Sequence, residues 1–242
     1  MIDIHFNFYS DAGGGDPDST SPTLRIYHKK LWSKSLPNGC IFELCDNKNG
    51  VYLYHKSELG EFFLGSDAIT HSYKNHKRKQ WLTQQIPSEV NELFETGSTI
   101  GAYIVFPNNR IDGNHTINQA RGVNSLIDDR FDLTLECIRL FYLSQNNPLY
   151  ATLLRYKKFF DLFDDFMGYI HFFLLDDLID EDNKIKFYLP FDGFKTRPIF
   201  SDINQYLLYK KAVMNFVKSR NKRIENYRTK TGSNRAANFS SG

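Results

Sequence analysis

Cysteine is scarce in this chain, and the three present, Cys40, Cys45 and Cys137, form no CxxC pair and no Cys/His set with zinc-ligand spacing. That excludes a disulfide framework and a structural zinc site, and points to reduced thiols. No stretch approaches about eighteen consecutive apolar residues, and the opening MIDIHFNFYSDAGGG has neither a basic n-region nor an apolar h-region. A membrane span and a secretory signal are therefore not expected, and the reading is of a cytoplasmic chain with no membrane partner. Also missing are GxxxxGK[ST], GxGxxG and the EF-hand loop pattern, and no internal repeat is evident.

What is abundant is aromatic. The 242 residues include 21 Phe and 14 Tyr within a 41% apolar composition, enough for a core packed through rings between layers. The net charge of +2 averages two unlike parts: from Lys218 onward seven basic residues face Glu225 alone, a net of +6, leaving residues 1–217 at −4. A mildly acidic body is not the footprint of a duplex-binding domain, so nucleic-acid contact is expected only through the basic tail, where Tyr227 adds a ring for stacking.

Periodicity predicts an α+β fold, a single domain over 1–224 with a mixed or antiparallel sheet and a packed helical C-terminal half; residues 225–242 read as a basic, disordered tail. Ile4 to Tyr9 alternate like a strand. Ser21 and Pro22 open a helix that turns Leu24, Tyr27, His28, Leu31 and Trp32 inward, ending before Leu36-Pro37-Asn38-Gly39. Residues 40–45 and 51–55 read as strands joined by the polar linker 46–50, with Glu61 to Leu64 adding another. Tyr73 to Lys79 reads as solvated basic surface, Pro87 to Phe94 as a helix, and the apolar run Thr99 to Phe106 as a strand at mid-sheet. Arg130 to Ser144 and Leu149 to Phe166 are expected as a helical hairpin, Tyr169 to Leu175 as a helix, Lys184 to Leu189 as a strand and Ile203 to Arg223 as the terminal helix.

Two loops hold the chemistry. In DAGGGDPDST, Asp11, Asp16 and Asp18 would repel a phosphate, so a divalent metal is the more physical partner. Asp16-Pro-Asp18-Ser-Thr20 matches the DxDxT pattern of haloacid-dehalogenase-like phosphatases in residue type, but six residues separate Asp16 from Tyr9 at the end of the expected strand, which favours a solvated loop. In NNRIDGNHTINQARG, Arg110, Asp112, His115, Asn118 and Arg121 surround the T-x-x-Q capping box Thr116/Gln119, the makings of a phosphate or carboxylate pocket. The same residues admit a structural reading, with an Arg110–Asp112 salt bridge, His115 capping a turn and Arg121 paired to Asp128 or Asp129. His55, Ser57 and Glu61 have the residue types of a nucleophile and base but no recognisable orienting group. The series Asp161, Asp164, Asp165, Asp176, Asp177 and Asp180 to Asp182 reads as solvated helix faces before it reads as a cation site.

The segments FNFYSD, DPDSTSPTLRIYH, LWSKSLPNG, YLYHKSELGEFFLGSD, TINQARG, DRFDLTLECIRLFY, RYKKFFDLFDDFMGY and FFLLDDL together resemble a domain-of-unknown-function family of bacterial and phage proteins, across roughly residues 5 to 224. The resemblance implies one folded unit with the tail outside it, and carries no activity. The leading expectation is binding, with or without turnover, of a nucleotide-like or other phosphorylated small molecule. The alternatives are a non-catalytic protein-interaction module, as a homo-oligomer or with another protein, and a metal-dependent hydrolase or nuclease built on the aspartates.

Overall fold

The computed structural model describes residues 1–45 and 52–237, with side chains described as far as Tyr227. The fold is α+β: small antiparallel sheets, with helices making up most of the C-terminal half. No helix among the described residues is long and apolar enough to cross a membrane.

The first helices follow from their caps. Asp16 accepts from its own turn to start α1 (Pro17–Thr20), and Ser21 Oγ accepts from Leu24 N to start α2 (Pro22–Trp32), each with proline in the first turn. The buried face of α2 is Leu24, Tyr27, His28, Leu31 and Trp32, the set its spacing predicts. Strands β1 (Lys34–Ser35) and β2 (Ile41–Phe42) then pair across a turn containing Gly39 at φ +83°. The expected hairpin linker 46–50 lies outside the described residues, but Cys45 and Tyr54 on either side of it exchange backbone hydrogen bonds at 2.8 Å.

The main sheet has the order β3 (Leu53–Ser57), β4 (Gly60–Ala68), β5 (Tyr103–Pro107), all antiparallel. The apolar run expected at mid-sheet is thus an edge strand, and its first part, Ile100–Ala102, is a 3-10 turn. It is nonetheless buried throughout, because other elements cover it where a fourth strand would lie. The central strand is β4, which runs four residues beyond the expected Leu64 and carries Ser66 and Asp67 into the interior.

Between β4 and β5 come α3 (Gln80–Thr83) and α4 (Pro87–Gly97). The Tyr73–Lys79 run before them is only partly surface: Lys74, Lys77 and Arg78 are exposed, but Tyr73 and Lys79 are buried, with Lys79 Nζ 2.9 Å from Asp128 Oδ2. After β5 the chain forms α5 (Ile117–Val123), α6 (Phe131–Tyr142), α7 (Tyr150–Arg155), α8 (Lys157–Phe160), α9 (Phe166–Phe172) and α10 (Ile203–Ala237). The single helix expected over 149–166 is broken at Tyr156 and again at Asp164, whose φ of +63° no helix accepts. Phe159, Phe163, Tyr169, Phe172 and Phe173 fill the space so created, with ring centroids 4.9–6.4 Å apart.

Two further strands do not form. Ile4 to Tyr9 alternate in burial, yet Phe6 N bonds back to Asp3 and Phe8 N reaches Ser98 O, so the segment lies on α2 as a coil and 3-10 turn. In 184–189, Ile185 makes a single bridge to Ile179. Side-chain packing on a helix surface produced an alternation that no sheet ladder backs.

The terminal helix is stapled to the sheet edge by buried groups. Arg220 donates to the carbonyls of Gly101 (3.0 Å), Tyr103 (2.8 Å) and Phe173 (2.9 Å), while Asn221 Oδ1 accepts from Gly101 N (2.7 Å). Burial lowers the Arg220 pKa to about 10, so it stays charged at neutral pH with carbonyl dipoles as its partners. A Cβ at Gly101 would sit 2.6 Å from the Val217 carbonyl, backbone that cannot step aside cheaply. Gly101→Ala is therefore expected to destabilise the protein by about 1–3 kcal/mol, measured by urea unfolding, whereas alanine at the open Gly122 costs nothing comparable.

Candidate functional site

The residues expected to form one anion pocket separate in three directions. Arg110, Asp112 and His115 lie exposed on the loop between β5 and α5, with Asp112 at φ +51° and no salt bridge joining Arg110 to Asp112. The capping box forms, Thr116 Oγ1 accepting from Gln119 N and Gln119 Oε1 from Thr116 N. Asn118, on the first turn of α5, faces a cleft. Arg121, one turn further on, is buried: it donates to Asp67 Oδ2 (2.9 Å), Ala68 O (3.0 Å), Asp129 O (2.8 Å) and Thr134 Oγ1 (3.2 Å). A guanidinium saturated in this way is a structural junction, and the pairing with Asp129 is the one the structural reading expects.

The three early aspartates divide as well. Asp11 accepts from Ser21 Oγ (2.6 Å) and Thr23 N (3.0 Å), and these bonds hold its pKa below the ordinary value despite partial burial. Asp16 and Asp18 stand in the cleft that Asn118 faces. Among the described residues no group of three or more His, Cys, Asp or Glu is placed to hold a metal ion. The later acidic series is engaged locally: Asp161 with Lys157, Asp165 as the cap of α9, Asp176 with His171, Asp177 with Arg223.

The cleft has two lobes of about 310 and 470 Å³ that share Asp16, Asp18 and Asn118. Its floor is the end of β4, from Gly65 to Ala68. One lobe opens toward His71, Lys74 and Tyr103, the other toward Arg25, Tyr52 and Asn108.

A directed chain of hydrogen bonds runs to its centre. The Trp32 indole donates to His28 Nδ1 at 3.0 Å, and an indole N–H can only donate. Burial brings the His28 pKa down to about 3, so the ring is neutral and its one proton sits on Nε2, 2.9 Å from Ser66 Oγ. Ser66 accepts that proton and passes its own to Asp18 Oδ1 at 2.6 Å. His28 therefore cannot take a proton from Ser66, and Ser66 is no activated nucleophile; the chain instead fixes Asp18 Oδ1 as an acceptor and leaves Oδ2 as the oxygen that carries a proton. Burial raises the Asp18 pKa to about 7, with Ser66 opposing and Asp16 adding. Asp67 is also raised by burial, against the pull of Arg121, while Arg121 itself stays cationic because Asp67 and Asp129 outweigh its own burial.

His55 and Ser57 have the opposite polarity. His55 Nδ1 lies 2.7 Å from Glu43 O and must donate to it, so Nε2 accepts from Ser57 at 2.8 Å. Glu61 does not join them; it accepts from the Tyr54 hydroxyl. The pair sits at a hairpin end, where Ser57 also accepts from Leu59 N.

Residues 2–224 match the model of a family described as a family of unknown function, DUF6994. The chain belongs to this family. No curated protein and no solved structure matches it. The DUF6994 match closes at Ile224, a fully buried residue of α10, and Tyr227 beyond it still packs against the core.

Within this DUF6994 fold, sequence reasoning named Asn118 for an anion pocket and Asp16 and Asp18 for a separate metal site, without bringing them together, and did not name Ser66, Asp67, His28, Arg25 or Tyr52 for either. The available signal was the Gly65-Ser66-Asp67 triplet directly after an apolar strand. Because the folded Asp18 pKa exceeds that of an unfolded aspartate, the native state holds the extra proton between about pH 4 and pH 7, and stability falls as pH rises through that window. Asp18→Asn, which preserves the bond from Ser66, should match wild type near pH 4 and exceed it by about 1–3 kcal/mol at pH 8 in urea unfolding.

Proposed function

We propose that the two-lobed cleft binds a small polar molecule, nucleotide-like or otherwise phosphorylated, with Asp18 as its central contact. The observation that carries this reading is a carboxyl that titrates near neutrality, with one oxygen pinned by Ser66, in a residue that lines a cavity of ligand size. A group of that pKa can accept a proton from a bound hydroxyl or amine, or return one, so the site is suited to acid–base turnover as well as binding. Asn108 and Asn118 add amides able to donate or accept at the cleft walls. The free cysteines, with Cys40 exposed, suit a cytoplasmic setting.

A second reading, a non-catalytic interaction module, draws on a groove of about 350 Å³ lined by Leu126, Leu133, Phe191 and Phe194, beside which Ile199 and Leu208 are exposed.

A thermal-shift screen of nucleotides and phosphorylated metabolites separates the two. A ligand at about one hundred times its Kd adds about 2.7 kcal/mol to native stability. We expect a ligand-dependent rise in Tm for the wild type that is lost in Asn118→Ala, a change at an exposed position that leaves the unliganded Tm in place. A shift of the same size in Asn118→Ala would remove the cleft as the site.

A further inference from the structure

The lobe between α2 and the end of β5 contains a cation without an anion. Arg25 makes no salt bridge among the described residues, and its guanidinium lies 4.7 Å from the centre of the Tyr52 ring. Its Nε is out of reach of solvent and has no hydrogen-bond partner. Tyr52 Oη is buried too, and approaches Arg25 and Ser66 without completing a bond to either. Two buried polar atoms left unsatisfied side by side are costly, and such pairs ordinarily find a partner.

The charge around them is more balanced than the number of aspartates suggests. Asp67 and Asp129, which line the other lobe, are paired with Arg121. Asp18 is close to half protonated at neutral pH. Of the groups lining this lobe, that leaves Asp16 as the full negative charge and Arg25 as the full positive one. Lys74 in the other lobe is a poorer anion site, being exposed with its ammonium over the Phe94 ring at 4.7 Å.

Resting on the reading of the cleft given above, we infer that its ligand is a phosphate ester with free hydroxyl groups, bound in one orientation: the phosphate between Arg25 and Tyr52, the hydroxyls on Asp16 and Asp18. The guanidinium fork and the phenol supply convergent donors to phosphate oxygens, and the carboxylates accept from hydroxyls. Gly65 on the floor belongs to the same design, since a Cβ there would already press on Asn108 at 2.7 Å and close the space between the two ends.

The test uses matched pairs on the full chain: ribose 5-phosphate against ribose, and AMP, ADP and ATP against adenosine, with inorganic phosphate alone as a further probe, by thermal shift and calorimetry. We expect the esters to bind at least tenfold more tightly than their dephosphorylated partners. Tyr52→Phe should weaken the ester at least tenfold while leaving the unliganded Tm unchanged or higher, because the hydroxyl it removes has no partner in the empty protein. Arg25→Gln should abolish the preference for the ester, and Arg25→Lys should restore part of it. Equal binding of ester and parent would overturn the anion end while leaving the cleft as a binding site. A lower unliganded Tm in Tyr52→Phe with ester affinity intact would make the hydroxyl structural and overturn the assignment. No binding by either member of any pair would overturn both this orientation and the reading on which it rests.

Discussion

Arg121 is where the sheet, the helices and the cleft meet. Its guanidinium, fully desolvated, touches the last residues of β4 through Asp67 and Ala68, the loop before α6 through Asp129, and α6 itself through Thr134. Taking such a charge out of water is expensive, and only a complete set of partners in good geometry offsets the cost. The loop yields to meet that requirement: Asp128 and Asp129 stand at φ +48° and +65°, a left-handed conformation unfavourable for two consecutive non-glycine residues. The turn brings the Asp129 carbonyl to Arg121 and the Asp128 carboxylate to buried Lys79.

The cleft is a consequence of this junction. With β4 held to α5 through Asp67, the opposite strand neighbour Ser66 faces α1 and α2, where it receives from His28 and donates to Asp18. Consecutive residues of a strand point to opposite sides. One β4 dipeptide therefore serves two networks: Asp67 neutralises a structural cation on one side, and Ser66 sets the proton position of a cleft carboxyl on the other. Asp18 keeps a pKa near neutral because its burial outweighs the Ser66 bond and the pull of Arg121.

Much of the fold was legible where the physics is local. The Ser21-Pro22 cap, the inward face of α2 and the Thr116/Gln119 box need only residues within a turn of one another, and all appear as the sequence predicts. The failures share long-range causes. Lys79 reads as solvated in a basic run because its partner Asp128 is far along the chain, and the apolar run to Phe106 reads as central because nothing local reveals what covers a strand edge. Ile4 to Tyr9 imitate a strand because burial alternates against α2 without any ladder. The same limit shaped the candidate site: Asn118 and Arg121 share a short helix, but whether each faced solvent or Asp67, 54 positions away, was not encoded in their spacing.

The most direct test of the junction is a double-mutant cycle on Arg121 and Asp67, with stability measured by urea unfolding at pH 7. Arg121→Met alone leaves Asp67 buried without a cation and should cost about 3–5 kcal/mol; adding Asp67→Leu should recover a good part of that, for a coupling of at least about 2 kcal/mol. Effects that add within about 0.5 kcal/mol would mean that the two residues act independently, and the account of how the cleft is held would be wrong.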